Sequence, residues 1–154
     1  MKAVVYTTYG SPEVLEMKEV AKPIPKANEV LIKVHATSIN CADGYMLAGK
    51  PFLVRLMAGG LLKPKKTILG ADISGVVEAV GSEVKSFKVG DAVYGDMANC
   101  SFGGLAEYAT ATEEIFAIKP TNLTFEQAAA VPMAAVTALK GLRDKGRIGA
   151  GQKV

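Results

Sequence analysis

The residue types that could perform catalysis are few in this chain, and they are widely separated. His35 is the single histidine among 154 residues, and Cys41 and Cys100 are the two cysteines. His35 shares one face of a predicted strand with Lys33, which favours a solvated side chain over a general base. Two thiols without a C-x-x-C spacing are typical of a reduced compartment, not of a disulfide scaffold. Cys100, near Phe102, could line a cleft, but a free cysteine is more often a small buried hydrophobic residue.

Three closely spaced glycines, Gly146, Gly149 and Gly151, have the composition of a phosphate-binding loop. A dinucleotide site places such glycines after a strand and before a helix, where backbone N–H groups meet the pyrophosphate. Here the order is reversed, because the glycines follow a predicted helix and precede a predicted strand over residues 152–154. The segment is therefore predicted to be a connector.

The elements that must position any site are mainly short β-strands. Alternating and β-branched runs predict strands at residues 2–6, 15–20, 29–37, 73–80, 92–94, 105–109 and 115–119. This spacing, with turn glycines throughout residues 68–96, is typical of a barrel or a sandwich. In the strand 29–37, the even-numbered residues Val30 to Ala36 form an apolar face, and Leu31, Lys33 and His35 are predicted on the opposite face.

The pattern becomes helical after Pro120. Thr124 and Gln127 have the spacing of a capping box, and alanine-rich sequence follows them. Pro132 is predicted to split this helical run into two pieces. We therefore expect a β domain over residues 1–122, and over 123–154 a helical connector with the first residues of a truncated second domain.

The composition narrows the classes of function. A net charge of +3 and a sequence pI of about 8.8 are too mild to indicate nucleic-acid binding. No apolar run is long enough to span a bilayer, and the absence of a targeting signal favours a cytoplasmic location.

Residues 50–66 contain five lysines and arginines and no acid, together with an apolar cluster from Phe52 to Met57. Such a stretch could bind a membrane or an acidic partner. The alternative is an excursion with one short helix, closed by Gly59 and Gly60, that covers one end of the β domain. We favour the excursion, since so short a helix would not anchor to a membrane alone.

Five motifs in the expected order carry a resemblance to a known family. They are Val34 to Asp43 (VHATSINCAD), Leu69 to Gly75 (LGADISG), Val89 to Val93 (VGDAV), Gly103 to Tyr108 (GGLAEY) and Ala129 to Thr137 (AAVPMAAVT). The chain resembles the N-terminal GroES-like domain of the medium-chain dehydrogenase/reductase superfamily, and within it the zinc-free quinone oxidoreductases and enone reductases. The resemblance implies a GroES-like β-barrel with a C-terminal helical segment, lacking the Rossmann domain expected in the full-length protein.

The resemblance also bears on metal binding. Zinc-dependent members bind catalytic zinc through a Cys, a His followed by Glu, and a third residue that is often Cys. The matching positions here hold Asn40, Ala71 and Met133, none of which is a usual zinc ligand. Cys41 lies one residue beyond the first position, and Asp72 replaces the glutamate. The four-cysteine structural lobe is missing, so no zinc is expected.

The activity that the resemblance implies is hydride transfer from NADP(H) or NAD(H) to a quinone, an enone or another small carbonyl compound. Without zinc, charge on the substrate oxygen must be met by hydrogen-bond donors or solvent. The resemblance makes Tyr45 the candidate donor, places Asn40 and Thr137 near the cofactor, and places Asp43 and Met133 in the substrate cleft. Each also has a structural alternative: Asn40 could cap a turn, Asp43 could hold a loop through backbone amides, and Tyr45 could simply pack.

Other functions stay open at this level. The cofactor is expected to be bound mainly by residues beyond Val154, so the chain alone should be inactive, and the full-length parent is expected to be a homodimer. A GroES-like domain could instead be a non-enzymatic binding or assembly protein, because a fold does not determine a function. A zinc enzyme with unusual ligands is a further alternative.

Overall fold

A computed structural model describes residues 1–57, 60–100 and 102–153 of the chain. It contains seven described strands: β1 (Lys2–Val5), β2 (Glu16–Glu19), β3 (Glu29–Ser38), β4 (Asp72–Val80), β5 (Ala92–Asp96), β6 (Tyr108–Thr112) and β7 (Phe116–Ile118). Five of them form an antiparallel sheet in the order β6-β3-β4-β5-β7, and β1 and β2 pair separately. The predicted mainly β architecture is confirmed.

Two details of the predicted strands are wrong. The strand expected at residues 105–109 begins at Tyr108, because the backbone of Leu105 is used elsewhere: its N–H donates to the carbonyl of Leu69, and its carbonyl accepts from the N–H of Val4. Leu31, predicted on the face opposite the core, is buried. Val30, Leu31 and Ile32 are buried in succession, so β3 is covered on both faces at this point.

Two short helices fill the connection between β3 and β4. The first, α1 (Cys41–Ala48), was not predicted; it follows Asn40 at its N-cap and ends at Gly49, which has φ of 59°. The second, α2 (Leu53–Met57), is the short helix expected within residues 50–66. The predicted end of that helix at Gly59 lies outside the described residues.

The C-terminal segment is helical, as predicted. Thr124 caps α3 (Phe125–Ala129), with its Oγ1 accepting from the N–H of Gln127, and Pro132 begins the separate helix α4 (Pro132–Leu139). A π-helical segment follows at Lys140–Lys145. Residues 152 and 153 form no strand, contrary to the prediction, and Val154 lies outside the described residues.

The buried side chains form two clusters. The first lies on the five-stranded sheet and consists of Val30, Ile32, Ile73, Val77, Val93, Met97, Ala109, Ala111 and Phe116. The second lies beneath α1 and consists of Tyr6, Met46, Leu47, Leu69, Ala71 and Phe102. The segment from Leu69 to Ile73 contributes to both clusters and so joins α1 to the sheet. Within the described part of the chain, no helix is long and apolar enough to cross a membrane.

Candidate functional site

A buried carboxylate lies where β3, β4 and α4 meet. Asp72, with a relative exposure of 0%, accepts hydrogen bonds from the backbone N–H of Met133 at 3.1 and 3.2 Å. Its Oδ2 also accepts from Asn40 Nδ2 at 3.2 Å and Ser38 Oγ at 3.4 Å. The backbone carbonyl of Asp72 accepts from Thr37 Oγ1 at 2.8 Å. The carboxylate therefore joins the end of β3, the start of α1 and the N-terminus of α4.

Strand periodicity explains why β4 makes these contacts. Asp72 and Ser74 are two residues apart on the strand, so their side chains point to the same face. Ser74 is fully buried, and its Oγ donates to the carbonyl oxygen of Phe125 in α3 at 2.5 Å. One polar side chain thus attaches each C-terminal helix to the sheet.

The surroundings of Asp72 act on its pKa in opposite directions. Removal from water penalises the charged form and raises the pKa of the carboxyl, which is the largest effect, and the negative charge of Asp96 raises it further. The hydrogen bonds from Met133, Asn40 and Ser38 lower it, but the net direction is upward.

The three positions compared with zinc ligands come together around this carboxylate. Asn40 and the backbone of Met133 bond to Asp72 directly, and Ala71 precedes it with an exposure of 0%. In the described ranges, no group of three or more histidine, cysteine or acidic residues could hold a metal ion. What the structure places here is a network of one carboxylate and its donors.

Asp43 has a comparable bracing role. Its side chain is almost fully buried, and Oδ2 accepts from the N–H of Asn40 at 2.9 Å while Oδ1 accepts from the N–H of Gly70 at 2.8 Å. Gly70 has φ of 92°, a conformation that favours glycine. The carboxylate of Asp43 thus holds the start of α1 against the turn before β4, as in the structural alternative considered for it.

Tyr45 and Thr137 are accessible. Tyr45 on α1 is 57% exposed, and Thr137 is exposed on α4, one turn after the half-buried Met133 and on the same side of that helix.

Tyr45 and Met46 line a cleft of about 370 Å³ together with Val54 of α2, Lys66 and Phe102. A phenol at an apolar cleft can donate a hydrogen bond to a carbonyl oxygen of a bound molecule.

Sequence reasoning missed two of these residues as parts of a site. Asp72 was noted only as a replacement for glutamate, although a lone acid inside the apolar run of residues 68–77 is a signal of a specific buried partner. For Lys66, the sequence indicates only membership of a basic stretch. Its place in the cleft depends on contacts of its side chain with Cys100 and Phe102, which no local pattern indicates.

The chain is similar to oxidoreductases over nearly its whole length. The family described as "Alcohol dehydrogenase GroES-like domain" matches residues 26–121. A 2-methylene-furan-3-one reductase of Solanum lycopersicum is 42% identical over 153 residues, covering 95% of this chain and 38% of that protein. A chloroplastic NADPH-dependent alkenal/one oxidoreductase of Arabidopsis thaliana is 40% identical over 149 residues, covering 92% of this chain and 37% of that protein.

The solved structures agree with this likeness. The quinone oxidoreductase from Coxiella burnetii superposes with a TM-score of 0.87 at 34% identity, over 98% of this chain and 46% of that one. The chain spans less than half the length of each of these three proteins.

Proposed function

This chain belongs to the alcohol dehydrogenase GroES-like domain family, as its motifs predicted, and on that premise we propose that it is the substrate-side domain of an NADPH-dependent oxidoreductase. The proposed reaction is reduction of a quinone, an enone or another carbonyl compound by hydride transfer. The observation that carries the proposal is the apolar cleft at which Tyr45 presents an accessible phenol. The name of the similar alkenal/one oxidoreductase supports NADPH over NADH.

In the proposed reaction, NADPH supplies the hydride when it is bound. Tyr45 donates a hydrogen bond to the substrate oxygen, on which negative charge develops. In an enone or a quinone the conjugated system delocalises that negative charge. A single neutral hydrogen-bond donor is therefore enough to stabilise it.

The half-buried side chain of Met133 on α4 is proposed to line the substrate cleft, and the exposed hydroxyl of Thr137 lies one turn further along that helix. We assign Thr137 to a polar contact with the cofactor. Asn40, whose Nδ2 donates to Ser38 Oγ and Asp72 Oδ2, is also assigned to the cofactor side of the cleft. Asp43 forms part of the cleft wall through its hold on α1, without direct contact to the substrate.

The proposed enzyme contains no catalytic zinc. The chemistry of the residues at the ligand positions supports this, since a methyl group at Ala71 and a thioether at Met133 are poor partners for zinc. Metal analysis of the full-length protein that contains these residues tests whether zinc is bound. Stoichiometric zinc that is required for turnover would contradict it.

The decisive test of the function is oxidation of NADPH in the presence of a quinone or an enone. We expect turnover by the longest natural chain and none by the 154 residues alone, because the residues that bind pyrophosphate are proposed to lie in a Rossmann domain. Tyr45→Phe in the longer chain should lower kcat roughly tenfold through loss of one hydrogen bond in the transition state. Robust turnover by the 154 residues alone, or none by the longer chain, would overturn the proposal.

The remaining parts of the proposal concern organisation. We place the boundary of the GroES-like domain after residue 122, with residues 123–154 connecting it to the nucleotide-binding part. The full-length protein is proposed to be a homodimer in the cytoplasm. Sedimentation equilibrium and imaging of a tagged full-length protein test these two statements.

A further inference from the structure

The cleft beside Tyr45 contains a positive charge that the proposed hydride transfer does not use. Lys66 lines the cleft and is half-buried. Its Nζ donates to the backbone carbonyl of Cys100 at 2.9 Å and lies 5.0 Å from the centroid of the Phe102 ring. These two contacts hold the ammonium group at the wall instead of letting it extend into solvent.

The Lys66 ammonium has donor capacity to spare. It carries three N–H groups, and the contacts among the described residues give it one hydrogen-bond acceptor, Cys100, and no ion pair. Residues 44–71 contain no acid at all. Asp96 does not line the cleft, and its Oδ1 accepts from the N–H of Ala98 at 2.8 Å. A half-buried cation without a counter-charge favours an anionic ligand.

The rest of the wall suits the apolar body of such a ligand. Met46, Val54 and Phe102 provide apolar surface between Tyr45 and Lys66. The cleft volume of about 370 Å³ equals that of about a dozen water molecules, which is enough for one aromatic ring with short substituents.

We propose that this cleft selects a carbonyl substrate that carries a carboxylate, with Lys66 as the residue that recognises the carboxylate. The reacting carbonyl then lies at Tyr45, and the hydrocarbon body lies against Met46, Val54 and Phe102. The carboxylate accepts hydrogen bonds from the remaining N–H groups of Lys66. This inference rests on the proposed function for the identity of the reacting carbonyl. The charge selectivity itself depends only on the cleft.

Binding of a matched ligand pair to the 154-residue chain tests the inference without any cofactor. The acid is para-carboxybenzalacetone, an aromatic enone, and its neutral partner is the corresponding carboxamide, with both affinities measured by NMR titration. We expect the chain to bind the acid roughly tenfold more tightly than the amide, since a hydrogen bond to a charged group is worth about that factor. The preference should decline as salt is added.

Three variants separate recognition from structural support. Lys66→Gln should bind the two ligands equally, and Lys66→Arg should keep the preference because it keeps the charge. Lys65→Gln, at an exposed neighbour that does not line the cleft, should behave like the unmodified chain. If Lys66→Gln weakens the binding of both ligands equally, Lys66 only holds the backbone at Cys100, and the inference is wrong.

Comparison of the acid and the amide on the unmodified chain tests the inference even if a variant fails to fold. Equal binding of acid and amide, or binding of neither, would overturn the inference. A longer chain that shows no reductase activity while the acid preference persists would instead remove the proposed function and leave the selectivity standing.

Discussion

At the scale of single residues, the polar groups that are buried away from solvent have the clearest consequences for stability. Asp72 and Tyr6 are both almost fully buried, yet their environments differ. Asp72 is surrounded by donors, whereas the Tyr6 hydroxyl has no hydrogen-bond partner among the described residues. A satisfied buried group contributes to a specific structure, and an unsatisfied one costs free energy.

The raised pKa of Asp72 predicts how a substitution will depend on pH. The carboxyl of Asp72 binds its proton more strongly in the folded chain than in the unfolded chain, where the pKa has its ordinary value of 3.8. The stability that Asp72 provides therefore falls as the pH rises above 3.8 and through the folded-state pKa. Asp72→Asn does not titrate, so its cost in free energy of unfolding should be larger at acid pH and settle at about 1–2 kcal/mol near neutrality. Urea unfolding over a pH series measures this, with exposed Asp144→Asn as the control. A cost that grows with pH would contradict the raised pKa.

The Tyr6 hydroxyl predicts a stabilising substitution. Tyr6→Phe removes an unpaired buried group and should raise the free energy of unfolding by about 1 kcal/mol. Burial also raises the pKa of Tyr6 to about 12, so the unmodified chain should lose stability between pH 10 and 12 relative to Tyr6→Phe. Tyr9→Phe is the matched control, because the Tyr9 hydroxyl donates to the carbonyl of Gly60 at 2.5 Å and its loss should destabilise the chain. Destabilisation by Tyr6→Phe would reveal a partner for the hydroxyl.

At the scale of elements, the close approach of β4 to its neighbours determines what the strand tolerates. A Cβ atom added at Gly75 would lie 2.1 Å from the backbone carbonyl oxygen of Lys33 in β3. That oxygen is fixed by the sheet, so the two strands would have to move apart. Gly44 in α1 has nothing within 4 Å of such an atom.

These two glycines therefore predict opposite outcomes for the same substitution. Gly75→Ala should lower the free energy of unfolding by about 3 kcal/mol or prevent folding, through overpacking between β3 and β4. Gly44→Ala should raise it by up to about 1 kcal/mol, because alanine is the better helix former. Thermal and urea unfolding of both variants measures the difference, and equal effects would mean that the strand approach is looser than described.

At the scale of the whole molecule, the charge is distributed unevenly. Residues 44–71 carry five of the 18 lysines and arginines and none of the 15 acids, so the remainder of this +3 chain has a net charge of −2. Two of the five cations bind within the chain: Arg55 donates to the Gly49 carbonyl and lies over the Tyr9 ring, and Lys66 bonds to Cys100. The other three, Lys50, Lys63 and Lys65, are exposed and could approach an anionic surface.

This distribution predicts weak membrane binding at most. At about 1 kcal/mol for each basic residue near an anionic surface, Lys50, Lys63 and Lys65 provide about 3 kcal/mol, a dissociation constant of several millimolar. The five-residue helix α2 is too short to add an inserted apolar face. In sedimentation with phosphatidylserine-containing vesicles at physiological salt, the chain should stay in the supernatant. Co-sedimentation that is lost when the three lysines become glutamine would show that the basic stretch is a membrane site.

Local interactions account for the parts of the fold that could be predicted. The capping box at Thr124 and Gln127, the break at Pro132 and the alternation of β3 each depend on neighbours a few residues away, so they are visible in the sequence. The start of β6 and the burial of Leu31 were not, because they depend on hydrogen bonds and packing between distant segments. The helix α1 was missed although it has local signals, namely Asp43 bonded to the N–H of Asn40 and Gly49 after its last residue.

The sequence by itself determined the family, the β class and the residues that replace the zinc ligands, since each is a matter of residue type and order. Only the tertiary structure decided what those residues do together. It placed Asn40 and Met133 on the carboxylate of Asp72, turned Asp43 inward, and brought Lys66 from a basic stretch to the wall of the Tyr45 cleft. The physical reason is that burial and hydrogen-bond partners arise when segments far apart in the sequence pack together, and no local pattern encodes that packing.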